Sequence, residues 1–189
     1  MKKTLLISLL FVLILTVSAC QARSVGIIGG ADGPTSILVT ENNAGDEVNL
    51  TITTENGKEP VLAKLYKGDG YSIYIPKKGY RYEKDYDDGA TEDKWEYTKR
   101  DDVSIEVITY KHTDEELAQK LFLRENDDYI FEDLMGYPLC GMEPDGDTLW
   151  FEAHEANGHT YIVCWKYPKY AEREDAPVLS AAAQTFKIK

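Results

Sequence analysis

Carboxylates and aromatic rings crowd the stretch between Tyr66 and Tyr97, and they bound the chemistry open to this chain. Asp85, Asp87, Asp88, Glu92 and Asp93 fall within residues 83 to 93, and Glu96 follows shortly after. Hard oxygen ligands at this density suit Ca²⁺, with Asp85, Asp87 and Glu96 as the candidate metal ligands. An EF-hand frame fails, because its glycine position falls on Ala90 and Gly89 comes one place early. The plainer expectation is a solvated, self-repelling acidic loop. Tyr66, Tyr71, Tyr74, Tyr80, Tyr82, Tyr86, Trp95 and Tyr97 share the stretch. Exposed rings beside carboxylates suit sugar rings or a partner protein. Tyr80, Tyr82, Tyr86, Trp95 and Tyr97 are therefore the candidate binding surface, and half-buried strand tyrosines are the alternative.

Catalytic signatures are sparse. A pair of acidic-loop carboxylates is the one hydrolase arrangement the composition allows. The sequence has no Gly-x-Ser-x-Gly elbow, no HExxH and no cysteine beside an obvious histidine. A non-catalytic binding or accessory role without a cofactor is the expectation. His154 and His159 flank a turn near Glu152 and Glu155 but lack a third metal ligand, and His112 precedes a helix. Cys140 and Cys164 admit either a disulfide or two buried thiols behaving as small hydrophobes.

The N-terminus carries an address. Lys2 and Lys3 precede an uncharged apolar run from Thr4 to Val17, then Val17-Ser18-Ala19-Cys20. The run is short for a membrane span, which needs about 20 apolar residues, and has the layout of an export signal. Val17-Ser18-Ala19-Cys20 resembles the lipobox of bacterial lipoproteins. That resemblance implies removal of residues 1–19 as a signal peptide and attachment of fatty acids, palmitate among them, at Cys20. It also implies a lipid-anchored place on the extracytoplasmic face of the cell membrane. Residues 20–46 then serve as a tether, and 47–189 as a single domain.

Charge narrows the partners. The chain carries a formal net charge of −12, which opposes nucleic acid and anionic lipid headgroups. Contact with the membrane is expected through acyl chains, at about 0.8 kcal/mol per buried methylene. A protein or glycan is the expected partner of the body.

Within the tether, Gly26-Ile27-Ile28-Gly29-Gly30-Ala31-Asp32-Gly33-Pro34-Thr35-Ser36-Ile37 resembles a segment of the β subunit of sodium-pumping decarboxylases. By that resemblance Asp32 would help bind sodium inside the membrane. No apolar stretch of spanning length follows Cys20, so the path such a pump requires has no counterpart. The same residues also read as apolar arms, Ser24 to Ile28 and Ser36 to Thr40, around a glycine-rich turn. Such arms can close as a hairpin or add strands to a sheet edge, and the turn can form a backbone nest for an anion.

The elements that position these residues follow from periodicity. Val48, Leu50 and Ile52 alternate with polar residues, Asn56-Gly57 marks a turn, and Val61–Tyr66 and Tyr71–Pro76 are further strands. Lys94–Thr98 and Val103–Tyr110 read as an antiparallel pair. Thr113 and Glu116 have capping-box spacing before a helix with Leu117, Ala118, Leu121 and Phe122 on one face. Asn157-Gly158 joins the clearest hairpin, and a type I′ turn there pairs Trp150 with Trp165 and Phe151 with Cys164. Both faces of that hairpin are apolar, which predicts a mid-sheet position covered on each side. A helix from about Asp175 to Gln184 and a strand through Phe186 and Ile188 finish the chain. Strand runs with few helices indicate an α+β fold, mainly antiparallel sheet with helices packed on it. From about residue 60 onward this order resembles the PsbP-like α/β/α sandwich, whose members act mostly as accessory modules.

Overall fold

A computed structural model describes residues 38–40, 46–54, 57–87, 89–132, 139–142 and 146–189. Cys20, Asp32 and Asp88, and the side chain of Asp87, lie outside the described residues. The strands are β1 (Leu38–Thr40), β2 (Glu47–Thr54), β3 (Gly57–Lys67), β4 (Tyr71–Pro76), β5 (Tyr80–Asp87), β6 (Ala90–Tyr97) and β7 (Ser104–Lys111). They continue after helix α1 (Glu115–Glu125) with β8 (Ile130–Glu132), β9 (Leu139–Met142), β10 (Asp147–Ala156) and β11 (His159–Pro168). Helix α2 (Ala176–Ala183) and β12 (Lys187–Ile188) close the chain.

Every strand pair is antiparallel, but the strands divide between two sheets rather than one. A five-stranded sheet runs β1-β2-β3-β4-β12, and a seven-stranded sheet runs β5-β6-β7-β11-β10-β9-β8. β1 lies within the stretch read as tether and forms an edge of the five-stranded sheet, with Val39 opposite Leu50, while the first arm, residues 24–28, lies outside the described residues.

The β10–β11 hairpin has the expected register, Trp150 opposite Trp165 and Phe151 opposite Cys164. Asn157 and Gly158 both have positive φ, 55° and 74°, as a type I′ turn demands. Period-two alternation sends Tyr161, Val163 and Trp165 into one core and Phe151, Ile162 and Cys164 into another. The first core joins β2, β4, β7, β11 and α2. The second lies beneath α1, where the Phe122 and Phe151 ring centroids are 4.7 Å apart.

α1 begins one residue later than the capping-box spacing suggests. Asp114 is the N-cap and accepts from Leu117 N at 2.8 Å, while Thr113 Oγ1 turns back to Lys111 O. The shift rotates Leu117 out to solvent, leaving Ala118 and Phe122 as the buried pair. α2 carries Pro177 in its first turn, as read from the sequence. Arg100, in the β6–β7 connection, is ion-paired to Asp175 at the start of α2. No helix among the described residues is long and apolar enough to cross a membrane.

Residues 83–87 and 90–93 lie in strands, not in a loop. They form most of the β5–β6 hairpin, in which Glu83 faces Lys94, Lys84 faces Asp93 and Arg81 faces Glu96. Opposite charges across the ladder offset much of the self-repulsion that acidic composition alone implies, although Asp85 faces Glu92.

Candidate binding site

Asp93 is the least expected residue of the hairpin. Its neighbour across the ladder is Val107, a core residue, and its own surface is 1% exposed. Inward alternation on β6 forces this: Trp95, two residues on, is buried beside it. A buried charge is costly unless paired and hydrogen-bonded. Three strands supply what Asp93 needs. Tyr71 from β4 donates to Oδ2 at 2.6 Å, and Tyr82 from β5 donates to Oδ1 at 2.5 Å. Lys84 Nζ from β5 lies 3.4 Å from Oδ1. Tyr66 from β3 stands 3.0 Å from Oδ1 and 2.6 Å from Tyr82 Oη. A phenol has one proton to give. Tyr66 can give its proton to Asp93, and its contact with Tyr82 can be donated from either side.

Burial, reinforced by the hydrogen bonds to Asp93, raises the Tyr71 and Tyr82 phenols far above their ordinary range. Burial also raises Tyr66, against the opposing hydrogen bond from Tyr82. For Lys84 burial opposes the charge, yet Asp93 together with Tyr86 and Tyr66 raises the ammonium on balance. The phenols stay protonated, and both carboxylate oxygens are occupied. This arrangement clamps the two sheets together.

A cleft of about 340 Å³ opens beside the clamp, between β3–β4 and β5–β6. Tyr66, Tyr80 and Trp95 wall it, with Leu65, Ile75 and Pro76 adding apolar surface. Lys64, Lys67, Lys77 and Asp46 complete its lining. Tyr80 lies 5.3 Å from the Tyr97 ring, and Tyr66 meets Trp95 edge-on at 4.8 Å. The volume falls at the small end of ligand pockets, which span roughly 300–1,000 Å³.

The expected aromatic surface therefore separates into parts. Tyr86 is 71% exposed and Tyr82 42% exposed. Trp95 is buried and reaches solvent only as a cleft wall, so it is no surface contact. Tyr80 and Tyr97 are half-buried and pack on each other. Sequence reasoning missed Tyr66, Lys64, Lys67 and Lys77 as site residues, since only the β3–β6 juxtaposition brings them to these rings.

Strand pairing decides two further alternatives that the sequence left open. Asp85 faces Glu92 while Glu96 faces Arg81, which places Asp85 and Glu96 four residues apart along the ladder. At about 3.4 Å per residue that is on the order of 13 Å, beyond one ion's ligand shell. No group of three metal-ligating side chains occurs among the described residues. Cys140 and Cys164 are buried and not bridged. Cys140 shares a face with Trp150 and Trp165, whereas Cys164 shares the opposite face with Phe151. Two strand spacings, about 9.6 Å, also separate their backbones, more than the ~7 Å a disulfide tolerates.

Glu92 points away from the clamp, toward Ile108 on the α1 side. Burial, then the Glu106 charge, raises its carboxyl above the usual range. Lys94 holds Glu106 at 3.0 Å.

No family model matches the chain, and no curated protein matches it. Among solved structures, the chain is similar to a protein of Bacteroides thetaiotaomicron VPI-5482 determined at 1.50 Å. That likeness has 13% identity and a TM-score of 0.37, and covers 66% of this chain. The chain spans about half of that protein, 48% of its length, and a likeness this slight carries no argument about fold or function.

Proposed function

We propose that this chain is a non-catalytic binding or accessory module, held by lipid at Cys20 on the extracytoplasmic face of a cell membrane. Residues 1–19 act as the signal peptide, 20–46 chiefly as tether, and 47–189 as its one domain. The contact site is the cleft walled by Tyr66, Tyr80 and Trp95. The single observation that carries this reading is the pairing of an open, ring-lined cleft with a neighbouring buried carboxylate that is held by tyrosines of both sheets. Such a site can hold a ligand, and the one carboxylate in its lining, Asp46, is paired to Lys67. The PsbP-like resemblance belongs to the same proposal. Its support is that α1 and α2 pack on opposite faces of the seven-stranded sheet, in separate cores.

Native protein extracted from its own membrane in nonionic detergent provides the test. Its N-terminal peptide is expected to begin at an acylated Cys20. An intact Met1 with an unmodified Cys20 sulfur would overturn the placement. Screened against glycans and peptides, the same preparation is expected to show binding that Tyr80→Ala abolishes and Tyr86→Ala leaves intact. The reverse pattern would move the site to the exposed hairpin tip.

A further inference from the structure

We propose that the cleft takes a small ring-bearing anion, a carboxylate carried on a sugar or aromatic ring. This rests on the cleft being the contact site. Three lysines line it beside largely apolar and aromatic walls. The Tyr66 hydroxyl is committed to Tyr82 and Asp93, so that residue offers the cleft a ring face rather than a donor. Ile75, Pro76 and Leu65 offer no side-chain polar atoms. A ligand that fits must therefore have a flat or apolar body and hold its polar group toward the lysines.

Charge decides the sign of that group. The chain as a whole is acidic, at −12, yet three of the ten lining residues are lysines and one is a carboxylate. Lys67 is 3.5 Å from Asp46, and Lys77 is 2.8 Å from Glu47. Both pairs are well exposed, and exposed pairs contribute only about 0–1 kcal/mol, so an entering anion can compete for either ammonium. Lys64 makes no ion pair among the described residues. Even with Glu47 counted, the mouth keeps a surplus positive charge. A cationic spot on an acidic body also repels the bulk of anionic polymers while admitting a small anion.

Matched twins that differ in charge alone test this. The full acylated chain in nonionic detergent is titrated calorimetrically with galacturonate against its methyl ester, and with p-hydroxybenzoate against p-hydroxybenzamide. At least one anion is expected to bind about tenfold or more tightly than its neutral twin. Lys64→Glu is expected to erase that preference, and Lys58→Glu, on an exposed residue absent from the cleft lining, to preserve it. The arm that responds distinguishes a sugar ring from an aromatic one. Equal binding of both twins, still sensitive to Tyr80→Ala, would sink the anion and keep the cleft. Binding by no compound, or binding insensitive to Tyr80→Ala, would overturn the inference in both arms. Thermal melts of each variant confirm that the exposed substitutions leave the fold in place.

Discussion

Tyr71 Oη donates to Asp93 Oδ2 at 2.6 Å, and neither residue has more than 1% of its surface exposed. One strand of the five-stranded sheet thereby bonds a charge on the seven-stranded sheet, inside the core that joins them. Tyr71→Phe is expected to cost about 1.5–3 kcal/mol, the usual worth of a hydrogen bond to a charged group. Asp93→Ala is expected to cost about 3–5 kcal/mol, because it strands Lys84 and three phenols without their partner. Urea unfolding of both variants checks this. Equal midpoints for wild type and Asp93→Ala would show that the clamp contributes nothing to stability.

Exposure separates Tyr82 from Tyr86. Tyr82→Phe removes a donor to Asp93 from a ring that is 42% exposed, so a loss of about 1 kcal/mol is expected. Tyr86→Ala acts at a ring 71% exposed and is expected to stay within about 0.5 kcal/mol of wild type. A Tyr86→Ala loss as large as that of Tyr82→Phe would mean that the tip packs more tightly than described.

Much of the fold was legible where local chemistry is decisive. The Trp150–Trp165 register follows from Asn157-Gly158, because a type I′ turn leaves no freedom in strand alignment. Pro177 and the alanine run likewise mark α2. Charge hid the β5–β6 hairpin: acidic side chains mask the alternation of Tyr80, Tyr82 and Tyr86, and the compensating lysines matter only once the strands are paired. The division into two sheets was equally hidden. β7 bonds β11 and β4 bonds β12, pairings that no short window of sequence specifies. The cleft shares that fate, since its lining comes from β3, β4, β5 and β6 together with neighbouring loop residues.

Glu92 should make stability depend on pH in a definite sense. Its folded pKa is raised, by burial and then by Glu106, so protonation is favoured in the folded state. The contribution is fully present below the unfolded value of about 4.3 and is lost as pH rises through the raised folded value. Near neutral pH the ionised group is therefore a liability. Glu92→Gln is expected to raise Tm there, with the gain shrinking to nothing as pH falls below the ordinary carboxylate range. A gain that is constant across pH would assign the effect to packing and not to charge.

The buried thiols give the sharpest contrast with a disulfide-stapled domain. Cys164 is pushed well up by burial and then by the Glu106 charge, with Sγ 3.8 Å from Glu106 Oε2. Thiolate is the reactive form, so the native protein should alkylate slowly at Cys164 near neutral pH and rapidly in denaturant. Reductant should leave Tm unchanged, because no covalent link constrains the unfolded chain. Cys164→Ser should destabilise modestly, since it sets a hydroxyl beside Phe151 in an apolar layer where only Glu106 can accept its proton. An intact mass matching the oxidised form, together with a Tm that falls on reduction, would require the two sulfurs to meet. That would require β9 and β11 to exchange the faces on which Cys140 and Cys164 now lie.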